Sequence, residues 1–236
     1  MIFVYFSYRD DAAALGMSVA SLRKAAGENV PICVVNDAAA PIPAEELPAG
    51  VINVMSRYDR GGTGKGLAAV RGQLHALREV LLATGEDYAV KIDSDIYVRD
   101  VTLLEVERDG VPPADMLACE GGRALLPMGC VYRVSRWAVE AALKLIAERD
   151  ALGWQEGVYA EALTLWHLLA LTPLRLRLIP LAVGYLQGFW LNRAGELPAE
   201  VLQAGAVHCG EPYTVGEQMV RAGSELTRTR MRLLGK

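Results

Sequence analysis

The chain has no apolar run long enough to cross a bilayer, no paired cysteines at metal-binding or redox spacing, no surplus of positive charge and no internal repeat. Each absence removes a class of protein. A spanning helix needs about 20 consecutive apolar residues. The richest stretch here, Leu163 to Leu171, is interrupted by His167 and stopped by Pro173, which fits a buried helix. Cys33, Cys119, Cys130 and Cys209 are scattered, so neither a zinc ribbon nor a thioredoxin-like dithiol can form from sequence neighbours, and a reducing compartment suits them. With 24 Lys and Arg against 28 Asp and Glu, the formal net charge of -4 lacks the basic footprint of a nucleic-acid binder. The opening "MIFVYFSYRDD" has too short an apolar run for a secretory signal and no basic leader. It reads as a first strand, and the expected location is the cytoplasm.

A Walker loop is missing as well, although "RYDRGGTGKGLAAVRGQL" invites the comparison. That loop needs a first glycine separated by four residues from Gly-Lys and a hydroxyl after it, because its amides cradle phosphate and its hydroxyl holds magnesium. Here Asp59 stands in the first place and Gly66 in the last. The glycines therefore need another explanation.

What is present is alternation. "IFVYFSY" reads as a strand, Ala12 to Ala26 as a helix ended by Gly27, and "PICVVND" as a second strand. After a proline-rich loop, "VINVMS" is a third. The helix that follows from about Leu67 buries one face through Leu67, Val70, Leu74, Leu77 and Leu81. "YAVKIDSDIYV" reads as one continuous fourth strand. Strands separated by helices pair in parallel through right-handed crossovers, so the expected fold is α/β, a doubly wound, mostly parallel sheet with helices on both faces. Downstream, "ADMLACE", "MGCVYRV", "LRLIPLAVGYL" and "GAVHCGE" read as strands, and Ser135 to Arg149 and Glu156 to Leu171 as helices. Val215 to Lys236 has the pattern of an amphipathic, arginine-rich terminal helix. With no linker visible, 1–236 is expected to be a single domain.

Asp93 and Asp95 lie two apart at the end of a hydrophobic strand, so their carboxylates point to the same face. Two such charges repel, and a divalent cation removes that penalty. Hard oxygen ligands suit Mg2+ or Mn2+, which commonly share their coordination with substrate phosphates. The carboxyl ends of strands are also where open α/β sheets collect ligands. The alternative is a plain surface loop.

Three stretches in order resemble the nucleotide-sugar-dependent glycosyltransferases of the GT-A fold. "FVYFSYRDDAAALGMSVASL" is similar to their opening strand, polar turn and helix, and "PICVVNDAA" to their second strand with its terminal aspartate. "RGGTGKGLAAVRGQLHALREVLLATGEDYAVKIDSD" is similar to the passage from glycines through a helix to the metal-binding Asp-x-Asp. The resemblance implies that residues 1–100 form the nucleotide-binding half and 101–236 the acceptor side. By it, Asp93 and Asp95 hold Mn2+ or Mg2+, and Ser7, Tyr8 and Asp37 lie near base and ribose. The glycines admit the backbone close to a diphosphate, and Arg57 or Lys65 neutralises the remaining charge; a solvated loop lysine is the other reading of Lys65.

"GCVYRVSRWAVEAAL" is similar to the segment near which the acceptor enters. "GWQEGVYAEALTLWHLL" occupies the place of the family's Glu-Asp motif, which supplies the general base in inverting members. Glu156 takes that place, but Gly157 follows where the second acid belongs, so Glu161 is held in reserve. His208 in "AVHCGEP" resembles the late histidine that some metal-dependent members add as a third ligand; a structural histidine is the alternative. Phe189 or Trp190 offers either a stacking platform for a sugar or a core aromatic. The implied partners are a nucleoside diphosphate-sugar donor and an acceptor of unknown kind. A sugar nucleotidyltransferase, which needs a Gly- and Arg-rich loop straight after the first strand, fits less well, as does an Asp-x-Asp phosphatase, whose motif lies on the first strand. A non-catalytic binding module of the same fold stays open, and donor turnover separates it from an enzyme.

Overall fold

A computed structural model describes residues 1–56, 67–98, 101–105, 113–121, 126–151, 165–166, 168–179, 183–185 and 206–208. The amino-terminal half alternates as its sequence requires: β1 (Ile2–Ser7), α1 (Ala12–Ala26), β2 (Ile32–Asp37), β3 (Ile52–Ser56), α2 (Leu67–Thr84) and β4 (Tyr88–Ile92). It continues through β5 (Ile96–Val98), β6 (Met116–Gly121), β7 (Leu126–Ser135), α3 (Arg136–Ala151), β8 (Leu176–Ile179), β9 (Val183–Tyr185) and β10 (Ala206–His208).

Seven strands form one sheet in the order β3-β2-β1-β4-β7-β6-β8. β1 pairs in parallel with both β2 and β4, and β2 with β3. β7 then runs antiparallel between β4 and β6, and β8 closes the far edge parallel to β6. Every residue of β1 and β2 is buried, because helices cover both faces; such strands read as unbroken apolar runs with no alternation. Ile2, Val4 and Phe6 face the layer shared with α2 and α3, while Phe3 and Tyr5 face α1. At the edge, β3 covers little, and Ile52 and Met55 stay exposed.

Two glycines end helices as the pattern requires. Gly27 at φ 104° follows α1, with its amide bonded to Arg23 O at 2.8 Å, and Gly85 at φ 71° follows α2. Only glycine adopts this backbone without strain. Among the described residues no helix is long and apolar enough to cross a membrane.

The expected single strand over 88–98 is divided. β4 stops at Ile92, a turn follows, and β5 joins a second sheet of order β5-β10-β9. The outer edge of β5 is held by α1: the Val98 amide donates to Ser21 Oγ at 2.8 Å, and the Ser21 hydroxyl donates to Ser18 O at 2.7 Å. Ser18 Oγ in turn bonds Tyr5 Oη at 3.2 Å, joining α1 to the centre of the large sheet. Of the helix expected over 156–171, residues 165–166 and 168–169 are helical. The remainder, and the amphipathic segment 215–236, lie outside the described residues.

Two outcomes follow from this packing. Ser21→Ala leaves the buried Val98 amide without its acceptor, so urea unfolding should show a loss of about 1–3 kcal/mol. Cys33 is buried in β2, which pushes its thiol up from the ordinary 9.0 to about 12. In the native protein it should resist iodoacetamide at pH 8, as peptide mass mapping would reveal. Its unfolded form loses a proton near 9 while the folded form keeps it, so this contribution to stability is full below 9 and declines as pH rises towards about 12. Cys33→Val should flatten that alkaline decline.

Candidate functional site

The three central parallel strands end together. Ser7 pairs with Asn36 across β1 and β2, and Tyr5 pairs with Ile92 across β1 and β4, so Ser7, Tyr8, Asp37 and Asp93 stand along one margin of the sheet. α1 leaves β1 on one face and α2 reaches β4 from the other. The crevice between β1 and β4 is thus the point where the winding reverses, the general position of ligands in open α/β sheets.

The loops over this margin are tied down by side chains the sequence patterns did not single out. Asn36 holds Ile42 with both ends of its amide: Nδ2 donates to Ile42 O at 2.9 Å and Oδ1 accepts from Ile42 N at 2.8 Å. Asp37 Oδ1 accepts from Ala39 N at 3.0 Å, an Asx turn at the end of β2. The Arg9 amide reaches Ala40 O at 2.7 Å, joining the β1–α1 corner to the loop after β2. Beside it the Tyr8 amide donates to Asp11 Oδ2 at 3.3 Å.

The acidic pair sits in the turn that leaves β4. Ile96 N donates to Asp93 O at 3.2 Å, closing the four residues Asp93 to Ile96. This corrects the expectation of two carboxylates on one face of extended backbone: what joins them is a tight turn, with Ser94 buried between two half-buried aspartates. A cation from β4, one that no sequence pattern singled out, also reaches the turn. Lys91, 2% exposed, donates from Nζ to Asp93 Oδ1, with the Tyr132 ring centroid 5.8 Å from the ammonium. Its visible signal was a lone charge inside the apolar run "YAVKI".

β10 brings a further predicted residue, His208, to this corner. It runs antiparallel to β5 with His208 opposite Ile96, the residue after Asp95. Arg133, fully buried in β7, braces the next segment by donating from Nη1 to Leu104 O at 2.7 Å and from Nη2 to Ala114 O at 3.4 Å. Its guanidinium lies 5.1 Å from the Tyr88 ring centroid.

The turn carries donors of the kind that a hard divalent ion takes. Two half-buried carboxylates share one turn at the strand ends, and a histidine stands at the adjacent register position. Among the described residues no three ligating side chains gather. Arg57, Lys65 and Glu156, with Glu161, Phe189 and Trp190, lie outside the described residues.

No protein-family model matches the sequence, and no curated protein matches it. Solved structures do. An active-site glutamine-to-glutamate mutant of LgtC is 14% identical, with 95% of this chain and 96% of that one covered and a TM-score of 0.53. The galactosyltransferase LgtC in complex with donor and acceptor sugar analogues is also 14% identical, with 89% and 87% covered and a TM-score of 0.51. At that identity the likeness is one of fold. The mostly parallel seven-stranded sheet with helices on both faces is the GT-A architecture of these glycosyltransferases.

Proposed function

We propose that the protein is a metal-dependent glycosyltransferase that moves a sugar from a nucleoside diphosphate-sugar to an acceptor hydroxyl. The observation carrying this reading is the placement of the Asp93–Ile96 turn at the reversal point of a GT-A sheet, with β10 setting His208 opposite Ile96. Asp93 and Asp95 hold Mn2+ or Mg2+, and His208 is the third ligand. When bound, the ion offsets the charge on the departing diphosphate as a Lewis acid.

The chain's own groups do the rest. Ser7, Tyr8 and Asp37 form the wall that receives the nucleoside, supported by the Asn36 and Asp37 turns beneath it. Arg57 or Lys65 neutralises the remaining charge of the diphosphate. Glu156 accepts the proton of an acceptor hydroxyl that attacks in line, opposite the departing diphosphate, and that direct displacement inverts the anomeric carbon. The LgtC complex with donor and acceptor sugar analogues supports a transferase of this architecture, without identifying the sugar used here.

Calorimetry with UDP, GDP, ADP and CDP tests the metal role. One of them should bind tightly with Mn2+ and weakly in chelator, and Asp95→Ala should reduce the affinity in Mn2+ to the chelator value. Equal wild-type affinity in both conditions would end the metal assignment.

The base is tested separately. Glu156→Gln should lower turnover by about a hundred- to ten-thousand-fold while donor affinity is kept. Undiminished turnover, with product of retained anomeric configuration by NMR, would transfer the reaction to a retaining course around Asp93, Asp95 and His208.

A further inference from the structure

We infer that Lys91 makes divalent-cation binding depend on the nucleotide, by acting as a built-in counter-ion of Asp93. This rests on the reading that the Asp93–Ile96 turn holds the cation.

Lys91 belongs to the face of β4 that carries Ala89 and packs with Tyr132 in the layer under α2 and α3. An ammonium in that layer loses its hydration, and the loss is offset by Asp93 and by the face of the Tyr132 ring. Stability alone does not require a lysine at this position. Replacing a buried ion pair with apolar side chains of similar volume is often neutral or stabilising, and the surroundings here, Val4, Ala89 and Tyr132, are those of an ordinary core. What the lysine alters is the turn itself.

Two consequences follow from its position. The ammonium occupies Oδ1 of Asp93, leaving that carboxylate fewer lone pairs for an ion. It also cancels one of the two negative charges of the turn, so an arriving cation meets a site of lower charge with a positive group beside it. Even with water-like screening, an ammonium about 6 Å from a divalent ion weakens binding by about tenfold, and less screening increases the effect. A nucleoside diphosphate reverses the balance, because it brings negative oxygens of its own to the same cation. The ion and the nucleotide then favour each other's binding by the same factor, as linkage requires. The empty enzyme is thereby kept from loading metal that has no donor attached.

The test measures binding and not turnover. Free Mn2+ is followed by electron paramagnetic resonance as protein is added, first alone and then with UDP, GDP, ADP or CDP in turn. Wild type should bind Mn2+ weakly alone and at least about tenfold more tightly with its nucleotide. Lys91→Met, which keeps the volume of the side chain, should bind Mn2+ alone about tenfold more tightly than wild type, with a smaller nucleotide effect. Lys91→Arg, which keeps the charge, should behave like wild type. Lys91→Met binding Mn2+ no more tightly than wild type overturns the inference. If circular dichroism shows that variant unfolded, wild type decides alone: equal Mn2+ affinity with and without nucleotide overturns it. A different failure marks the underlying reading. If wild type and Asp95→Ala are indistinguishable in every titration, the turn is no metal site and the role of Lys91 falls with it.

Discussion

The parallel ladder that joins β1 to β2 on one side and β4 on the other is the constraint on which the site depends. It buries both faces of β1, sends α1 and α2 to opposite layers and brings the ends of three strands to one margin. Residues distant in sequence, Ser7, Asp37 and Asp93, become neighbours along one margin for that reason alone. Slipping β4 by one residue would turn Lys91 out of its layer and place Val90 there, so the apolar alternation of the strand also fixes where the acidic turn emerges.

Leaving the large sheet at Asp93 creates a difficulty: β5 must be anchored without the ladder that held β4. The fold answers with hydroxyls and strand pairing. Ser21 satisfies one edge of β5 from α1, and β10 satisfies the other. Arg133 performs a related task nearby, where its planar guanidinium serves two main-chain carbonyls, Leu104 and Ala114, at once. Buried polar groups of this kind hold loops where apolar packing alone leaves them unspecified.

Legibility in the sequence followed the range of the interactions. α1 was readable to the residue, since its apolar spacing and Gly27 are local signals, and the run of strands and helices through β4 was equally plain. The break at Asp93 was not, because apolar residues flank it on both sides and period two carries no mark of a change of sheet. Nor could local pattern place β7 antiparallel between β4 and β6, a pairing between distant segments. Asp93, Asp95 and His208 were legible as residue types near strand ends, whereas the placement of His208 opposite Ile96 became visible only through the β5–β10 register. Lys91 was overlooked because a single charge in an apolar run looks like noise until burial shows what it touches.

The pairing of β10 with β5 has a consequence for how the molecule is assembled. It closes a loop of roughly a hundred residues with only three residues on each strand. Loop closure of that length is costly in chain entropy and is not rewarded until the partners meet, whereas β1 to β4 gain their contacts through short crossovers. The ladder of β1 to β4 is therefore expected to form before the corner around His208, which should be less protected than that ladder. Amide exchange at Val207 and His208 should accordingly outpace exchange in β1, and anything that bridges the two sheets slows it by mass action.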